Sequence, residues 1–541
     1  MKQLEAAFAG FATTPSAPMV EVLAGAAPAR AFNRGQMLRA AASIAEMLRQ
    51  RQNALGRPLK VGLVMQNSPE WVAADMALLA VGAVEVPVPL AFAAAQALHL
   101  LQGIDLCLVD VRGAARLRAW HAATADGSTP MPELSSVALD TLLLQPSSRL
   151  RFQLRDEHHV GKIIHTSGTT SQPKGVRIRL NGLDALLASL RRRIAPGHFG
   201  RYLSVVPLSL LIEQVTAVYM TLLDGGTIVF APPEVPLLGE SGATAGNMLA
   251  QLKAARPTAL TLPPSMVEAL LASCHAVAAE PAAMRSQRLF GCTRAPFIAC
   301  GGAPTAPAVL AELATMGIPV FEGYGLSENS SVVAWNSPDC FKPGTVGKPL
   351  DHVTVRLAPD GELLIKSRSM FDGYAGTDPS SCEIDAEGWL HTGDIAEMDH
   401  QGFLRVFGRK KNLIITANGR NVSPEWVESR YKSLDCVEQA VIFGDGLTRL
   451  HGYFVIAPGA SPVDARRRIE ALGQAQLSDV ERVDCAVVER SSRGLYERLF
   501  TVTGRPRREL IWQHMLHASA APATLADTAA ETTSQPEIDH V

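Results

Sequence analysis

Between residues 165 and 175 the chain reads His165-Thr166-Ser167-Gly168-Thr169-Thr170-Ser171-Gln172-Pro173-Lys174-Gly175, directly after the apolar run Val160-Gly161-Lys162-Ile163-Ile164. Small hydroxyl side chains, two glycines and a lysine crowd into one stretch. Glycine lets the backbone turn N–H groups toward an anion, hydroxyls add short donors, and lysine adds positive charge. That chemistry suits the phosphates of a nucleotide. It differs from the ordinary P-loop, whose lysine follows a glycine and precedes Ser or Thr; here Lys174 lies between Pro173 and Gly175. Taken alone, the same stretch also reads as a polar surface loop.

Further motifs follow in a fixed order: Tyr324-Gly325-Leu326-Ser327-Glu328, Thr392-Gly393-Asp394, Gly408-Arg409-Lys410-Lys411, then Gly419 and Pro424-Glu425-Trp426-Val427-Glu428. Weaker ones are Asn67-Ser68-Pro69-Glu70-Trp71, Gly301-Gly302-Ala303-Pro304 and Gly344-Thr345-Val346-Gly347-Lys348-Pro349. Together, from about residue 60 to 510, they resemble the adenylate-forming superfamily of acyl-CoA synthetases, peptide-synthetase adenylation domains and luciferases. Its phosphate loop, TSGTTGxPKG, is matched from Thr166 to Gly175 except at Ser171, which takes the later glycine position.

The resemblance implies a division of labour. Thr166, Ser167, Gly168, Thr169, Thr170 and Lys174 would hold the β- and γ-phosphates of ATP and the departing pyrophosphate. Glu328 would bind Mg²⁺, and Ser327 would donate its hydroxyl to the α-phosphate. Gly301, Gly302 and Ala303, with Glu322, Gly323 and Tyr324, would form the adenine side of the site. Asp394 accepts from ribose hydroxyls and Arg409 donates near the same sugar. Lys411 aligns with a hinge about which the small C-terminal domain rotates between half-reactions, and Gly419 with the entry path of a thiol. The family's GKxxR lysine is replaced: the match is Gly504-Arg505-Pro506-Arg507-Arg508. Arginine keeps the charge in a bulkier, forked shape, so Arg505 is expected to serve adenylation, with Arg507 as the alternative register.

Pro207-Leu208-Ser209-Leu210-Leu211-Ile212-Glu213 resembles the PLxHxxE stretch of fatty acyl-CoA synthetases, with Leu210 in place of histidine. Leu210 and Glu213 are therefore the expected substrate-pocket residues. The aspartate that pairs with a substrate amine in peptide-synthetase domains is absent here, and a buried ammonium without a partner is costly. An aliphatic, medium- or long-chain fatty acid is the expected substrate. Coenzyme A is the expected acceptor; a carrier-protein phosphopantetheine or an amine would use the same first step. A kinase or ATPase would share the phosphate ligands but release ADP. A non-catalytic adenylate-binding homologue is the reading that Arg505 and Leu210 motivate. A serine hydrolase is disfavoured because Gly325-Leu326-Ser327-Glu328-Asn329 lacks the closing glycine of GxSxG.

Composition agrees with an enzyme. Hydrophobic residues make up 47% and charged residues 19% of 541, which supports a large core. A formal net charge of −2 carries no footprint for nucleic acid or an acidic membrane. Eight cysteines lie scattered without a CxxC pair, which fits a reducing, cytoplasmic setting. The apolar stretch Val72 to Leu90 is interrupted by Asp75 and Glu85 and reads as a buried helix and strand, with no integral membrane segment. The clusters Arg191-Arg192-Arg193 and Arg466-Arg467-Arg468 read as solvated helix faces.

These residues need a scaffold. From residue 60 strand and helix alternate: strands at Leu59–Met65, Val84–Val88 and Leu106–Val109, a helix capped by Ser68 and ended by Gly82, then another from Ala93 to Leu101. Strands follow at Tyr202–Val206, Thr227–Phe230, Thr258–Leu262 and Phe297–Cys300. Such alternation predicts mainly parallel sheets covered by helices. Hairpin-like runs between about 341 and 408 predict a β-rich subdomain. The expected architecture is α/β: an N-terminal domain over 1–410, a small mobile α+β domain over 411–518, and a disordered tail over 519–541 rich in Ala, Thr, Ser and Pro.

Overall fold

Ser68 shows how local chemistry builds the scaffold. Its hydroxyl accepts from the Trp71 N–H, Pro69 occupies the first helical position, and the helix Pro69–Val81 ends at Gly82 in the left-handed conformation. All thirteen residues of that helix are buried, which explains why its sequence is apolar all round. The computed structural model describes the chain except residues 25–26, 124–131, 145–148, 154–155, 157, 167–172, 238–243, 377–382, 418–419, 502–503 and 521–541. It divides into two compact units, Met1–Asn412 and Leu413–Val541.

The first unit contains two large sheets. One has six strands in the order Glu133–Ser136, Leu106–Val109, Lys60–Val64, Val84–Pro87, Val160–Thr166 and Lys174–Arg179. All its pairings are parallel except the last, an antiparallel pair joining Thr166 to Lys174. The other has nine strands. At its centre Val320–Leu326, Phe297–Cys300, Ala259–Leu262, Arg201–Ser204, Thr227–Phe230 and Pro18–Ala24 run parallel, with antiparallel strands on both flanks. A four-stranded antiparallel sheet, Val353–Leu357, Glu362–Ser367, Leu390–Met398 and Leu404–Arg409, forms the β-rich region.

In the second unit Val437–Phe443, Leu450–Ile456 and Val483–Arg490 form one sheet. Alternation along the strands divides its two faces. Ala440, Ile442, Phe454 and Ile456 pack with Val427, Tyr431, Ile469 and Leu472 of the helices Pro424–Tyr431 and Pro462–Gln476. Val441, Tyr453 and Val455 pack with Leu495, Leu499, Ile511 and Met515 of Arg493–Leu499 and Arg508–Ala520. That last helix includes residues 519 and 520; the remainder of the expected tail lies outside the described residues.

Three features escaped the sequence reading. The first 59 residues form a helix, two strands and the helix Arg34–Leu55 capped by Asn33, and Pro18–Ala24 enters the large sheet beside Thr227–Phe230. The charges interrupting the apolar stretch have a partner: Asp75 and Glu85 both bond the fully buried Lys162 ammonium. The first arginine cluster is not a merely solvated face, since Arg193 donates to the carbonyls of Trp335, Lys348 and Pro349. Among the described residues no helix is long and apolar enough to cross a membrane, and six cysteines are free thiols.

Candidate active site

Ligands of parallel sheets bind beyond the carboxyl ends of the strands. At that edge of the nine-stranded sheet, Phe297–Cys300 leads into Gly301-Gly302-Ala303, and Val320–Leu326 carries Tyr324. A Cβ at Gly301 would lie 2.9 Å from the Gly323 carbonyl oxygen, so only glycine lets these two backbones meet. Tyr324 is a partly exposed residue whose hydroxyl is turned inward and donates to Asp394 Oδ2 at 2.5 Å. Burial and the adjacent Asp394 charge push that phenol well above its ordinary range. Asp394 lies opposite Arg409 in the strand register, with Arg409 Nε 3.0 Å from Asp394 Oδ1. An aromatic face, a carboxylate and a guanidinium are thus assembled, the last two lying 70 and 85 residues after Tyr324 in sequence, a set suited to a base and its sugar.

Glu322 and Gly323 support this edge from within. Glu322 is buried and accepts the Thr305 N–H at 2.9 Å, which fastens the loop after Gly301. Burial raises its carboxyl to about 7. A Cβ at Gly323 would stand 3.0 Å from the Trp335 ring.

The residues expected on the phosphate side lie at the end of the six-stranded sheet. Thr166 and Lys174 are register partners in the antiparallel pair. Ser167, Gly168, Thr169 and Thr170 lie outside the described residues, as does the Thr166 side chain. Lys174 is exposed, and its ammonium sits 5.2 Å from the centre of the Tyr374 ring. The Tyr374 hydroxyl donates to Glu328 Oε1 at 2.9 Å, and the Phe371 N–H donates to the Glu328 carbonyl at 2.9 Å. Tyr374 therefore ties the lysine to the carboxylate. No spacing rule singles out a tyrosine in that glycine-containing turn, and sequence reasoning missed it.

Ser327 and Glu328 open a single 3-10 turn, Ser327–Asn329. Ser330 and Ser331 follow with φ of 53° and 109°, a strained backbone of the kind that gathers at functional sites. The strand geometry leaves no alternative to glycine at 325, where a Cβ would approach the Ser331 carbonyl oxygen to 1.7 Å.

The basic run after Gly408 separates into distinct environments. Arg409 pairs with Asp394, and Lys410 bridges Asp360 at 2.6 Å and Glu362 at 2.9 Å. Lys411 is drawn below the ordinary lysine range by desolvation and then by the charges of Arg409 and Lys174, which places it beside the same cationic group. It lies two residues before Leu413, the first residue of the second unit.

On the expected acid side, Leu210 is 37% exposed, whereas Glu213 is fully buried. Glu213 accepts from Ser204 Oγ at 2.7 Å and the Tyr202 hydroxyl at 3.1 Å. It has no surface of its own to offer a ligand. Burial lifts its carboxyl to about 8. An acid raised from the usual ~4.3 binds its proton more tightly when folded. The associated stability is fully present below that unfolded value and drains away as pH climbs through about 8. Glu213→Gln should remove a loss of up to roughly 1.4 kcal/mol per pH unit across this window. Thermal melts from pH 5 to 8 measure it, and parallel wild-type and variant slopes would refute the assignment.

In the second unit the Gly504 motif is anchored through its last residue. Arg508 donates to Glu428 at 2.6 Å and to the Ile442 carbonyl at 3.0 Å, joining this motif to Pro424–Glu428. Arg505 is exposed in a turn where its N–H donates to Thr501 Oγ1 at 3.0 Å and its carbonyl accepts from the Thr501 N–H at 2.8 Å. Gly419 lies outside the described residues.

Among the described residues no group of three or more His, Cys, Asp or Glu is arranged to hold a metal ion. A single carboxylate such as Glu328 still fits Mg²⁺, which keeps waters and takes phosphate oxygens from the nucleotide itself. A partly exposed aromatic, a ribose-type carboxylate and a lysine–carboxylate pair at sheet edges make this a nucleotide-using α/β enzyme. Residues 11–375 match the family described as AMP-binding enzyme, and the chain belongs to that family.

Similar proteins agree. The long-chain-fatty-acid–CoA ligase FadD15 of Mycobacterium bovis is 28% identical over 449 residues, covering 72% of both chains. The long-chain-fatty-acid–CoA ligase 6 of Mus musculus is 26% identical over 485 residues, covering 75% of this chain and 67% of its own length. The anthranilate CoA ligase AuaEII in complex with anthranoyl-AMP superposes with a TM-score of 0.79 at 18% identity, covering 96% of this chain and 98% of that one. The o-succinylbenzoate CoA synthetase MenE of Bacillus subtilis, with its acyl-adenylate OSB-AMP, gives 0.71 at 20% identity, covering 93% and 97%. The adenylate-forming fold expected from the motifs is the fold observed.

Proposed function

We propose that this enzyme is an AMP-forming acid–thiol ligase: it joins a medium- or long-chain fatty acid to AMP and then passes the acyl group to coenzyme A. In the first step a carboxylate oxygen attacks the α-phosphorus and the bond to the bridging oxygen of the β-phosphate breaks, releasing pyrophosphate. In the second a thiolate sulfur attacks the acyl carbon and AMP leaves. The observation that carries the reading is the Tyr324–Asp394–Arg409 group together with the Lys174–Tyr374–Glu328 group, one suited to a nucleoside and the other to its phosphates.

The obstacle in the first step is the meeting of two anions, so catalysis needs donors aligned where charge accumulates. Lys174 and the hydroxyls from Thr166 to Thr170 serve the outer phosphates, Ser327 the α-phosphate, and Arg505 the approaching carboxylate. Mg²⁺ at Glu328 supplies charge neutralisation when bound. Lys411 is the hinge and the residues around Gly419 line the thiol's path in this reading. The fatty-acid relatives and apolar Leu210 support an aliphatic acid, while the two structural neighbours bear the names of aromatic acids.

The test is acid-dependent ATP–pyrophosphate exchange across a panel of aliphatic and aromatic acids, with products weighed by mass spectrometry with and without coenzyme A. AMP, pyrophosphate and an acyl-CoA are expected. Formation of ADP ends the ligase reading, and absence of exchange with every acid leaves a binding protein.

A further inference from the structure

Leu208 is held by both of its backbone polar groups, by one side chain from a distant part of the chain and one from six residues further on. Its N–H donates to Asn67 Oδ1 at 2.8 Å, and its carbonyl accepts from Gln214 Nε2 at 2.8 Å. Asn67 follows the strand Lys60–Val64 of the six-stranded sheet. Its amide also donates to the Val206 carbonyl at 2.7 Å and to Ser204 Oγ at 3.0 Å, at the carboxyl end of Arg201–Ser204 in the other sheet. Gln214 opens a π-helical segment, Gln214–Met220, a geometry that concentrates at functional sites.

Gln214 is itself braced. Its Nε2 lies 3.4 Å from Glu85 Oε1, and Glu85 bonds the Lys162 ammonium. Asp75 bonds Lys162 at 2.7 Å and accepts from the Tyr219 hydroxyl at 2.9 Å, at the far end of the same π-helical turn. Lys162, Asp75, Glu85, Gln214 and Tyr219 are all fully buried. A buried ion cluster of this kind adds little net stability against apolar replacements, so its use lies in fixing geometry. Two residues beyond Leu208, the turn closed by the Leu210 N–H on the Pro207 carbonyl at 3.0 Å presents the exposed Leu210.

We propose that Asn67 and Gln214 are positioning residues for acid selection: by gripping Leu208 from both sides they set the height of Leu210 in the acid pocket. The inference rests on the reading that the Pro207–Glu213 segment faces the acid. Its geometry supports that reading, because Ser204 and Thr261, which share the hydrogen-bond network of Glu213, stand at or near the carboxyl ends of strands in the same sheet as Gly301 and Tyr324.

Gln214→Met keeps the volume and removes both donated bonds. It should raise KM for the preferred acid about five- to tenfold, the loss of roughly one good hydrogen bond, flatten the preference across chain lengths, and leave KM for ATP unchanged. Asn67→Ala, at a partly exposed residue, should act in the same direction and non-additively with Gln214→Met; it carries the test alone if the buried variant does not fold. A merely structural defect would instead move both KM values together, and that result overturns the proposal, as does a wild-type acid profile in both variants. Leu210→Phe separates the two levels. If it shifts acid preference while the clamp variants do not, the clamp falls and the acid pocket stands. If it leaves acid preference untouched, the pocket assignment falls and takes the clamp with it.

Discussion

Arg505→Ala should slow acid-dependent ATP–pyrophosphate exchange by about 10²–10³-fold, the usual cost of one well-placed donor to developing charge. Arg505 is the residue expected at the lysine position of its motif, whose last residue, Arg508, is anchored on Glu428. Its turn is built from backbone bonds with Thr501, so the alanine variant should keep the local fold. Thioester formation from supplied acyl-adenylate should be far less affected, since the second step no longer brings two anions together. Arg505→Lys should recover most of the exchange by restoring the charge. Undiminished exchange in Arg505→Ala would remove the residue from the mechanism, and a loss confined to Arg507→Ala would transfer the role there.

Glu328→Gln is expected to be comparably severe. The glutamine oxygen can still accept from Tyr374, which bonds Glu328 Oε1 in the native site, so the lysine–tyrosine arrangement should persist while the negative charge disappears. Exchange should fall roughly 10²–10³-fold, and the Mg²⁺ concentration for half-maximal rate should rise. Rates measured against Mg²⁺ at fixed ATP distinguish this from damage to nucleotide binding. An unchanged Mg²⁺ dependence would mean that Glu328 supports Tyr374 and has no part with the ion.

Much of the architecture was readable in local pattern. The helix from Pro69 to Val81 was announced by Ser68, Pro69 and Gly82, and the strands Leu106–Val109, Thr227–Phe230, Phe297–Cys300 and Val353–Leu357 lie where the apolar runs place them. Glu213, expected among the substrate-pocket residues, is fully buried, and this was not legible because a carboxylate in a helical run reads the same whether its partners lie in solvent or in a hydroxyl cage. The opening 59 residues were passed over for a related reason. Their strand Pro18–Ala24 joins the large sheet by pairing with Thr227–Phe230, a partner far along the chain.

By itself the sequence pointed to the AMP-binding family, since its motifs are residue types held close together: Thr166 to Lys174, Tyr324 to Glu328, Thr392 to Asp394. The tertiary structure alone decided how those pieces are tied to one another. Tyr374 reaches Glu328 across 46 residues, Lys162 reaches Asp75 across 87, and Asn67 reaches Leu208 across 141. Hydrogen bonds and ion pairs of that kind are chosen by which side chains burial leaves facing each other, because a desolvated polar group must find a partner wherever the chain brings one. That choice is made by packing and has no local spacing to betray it.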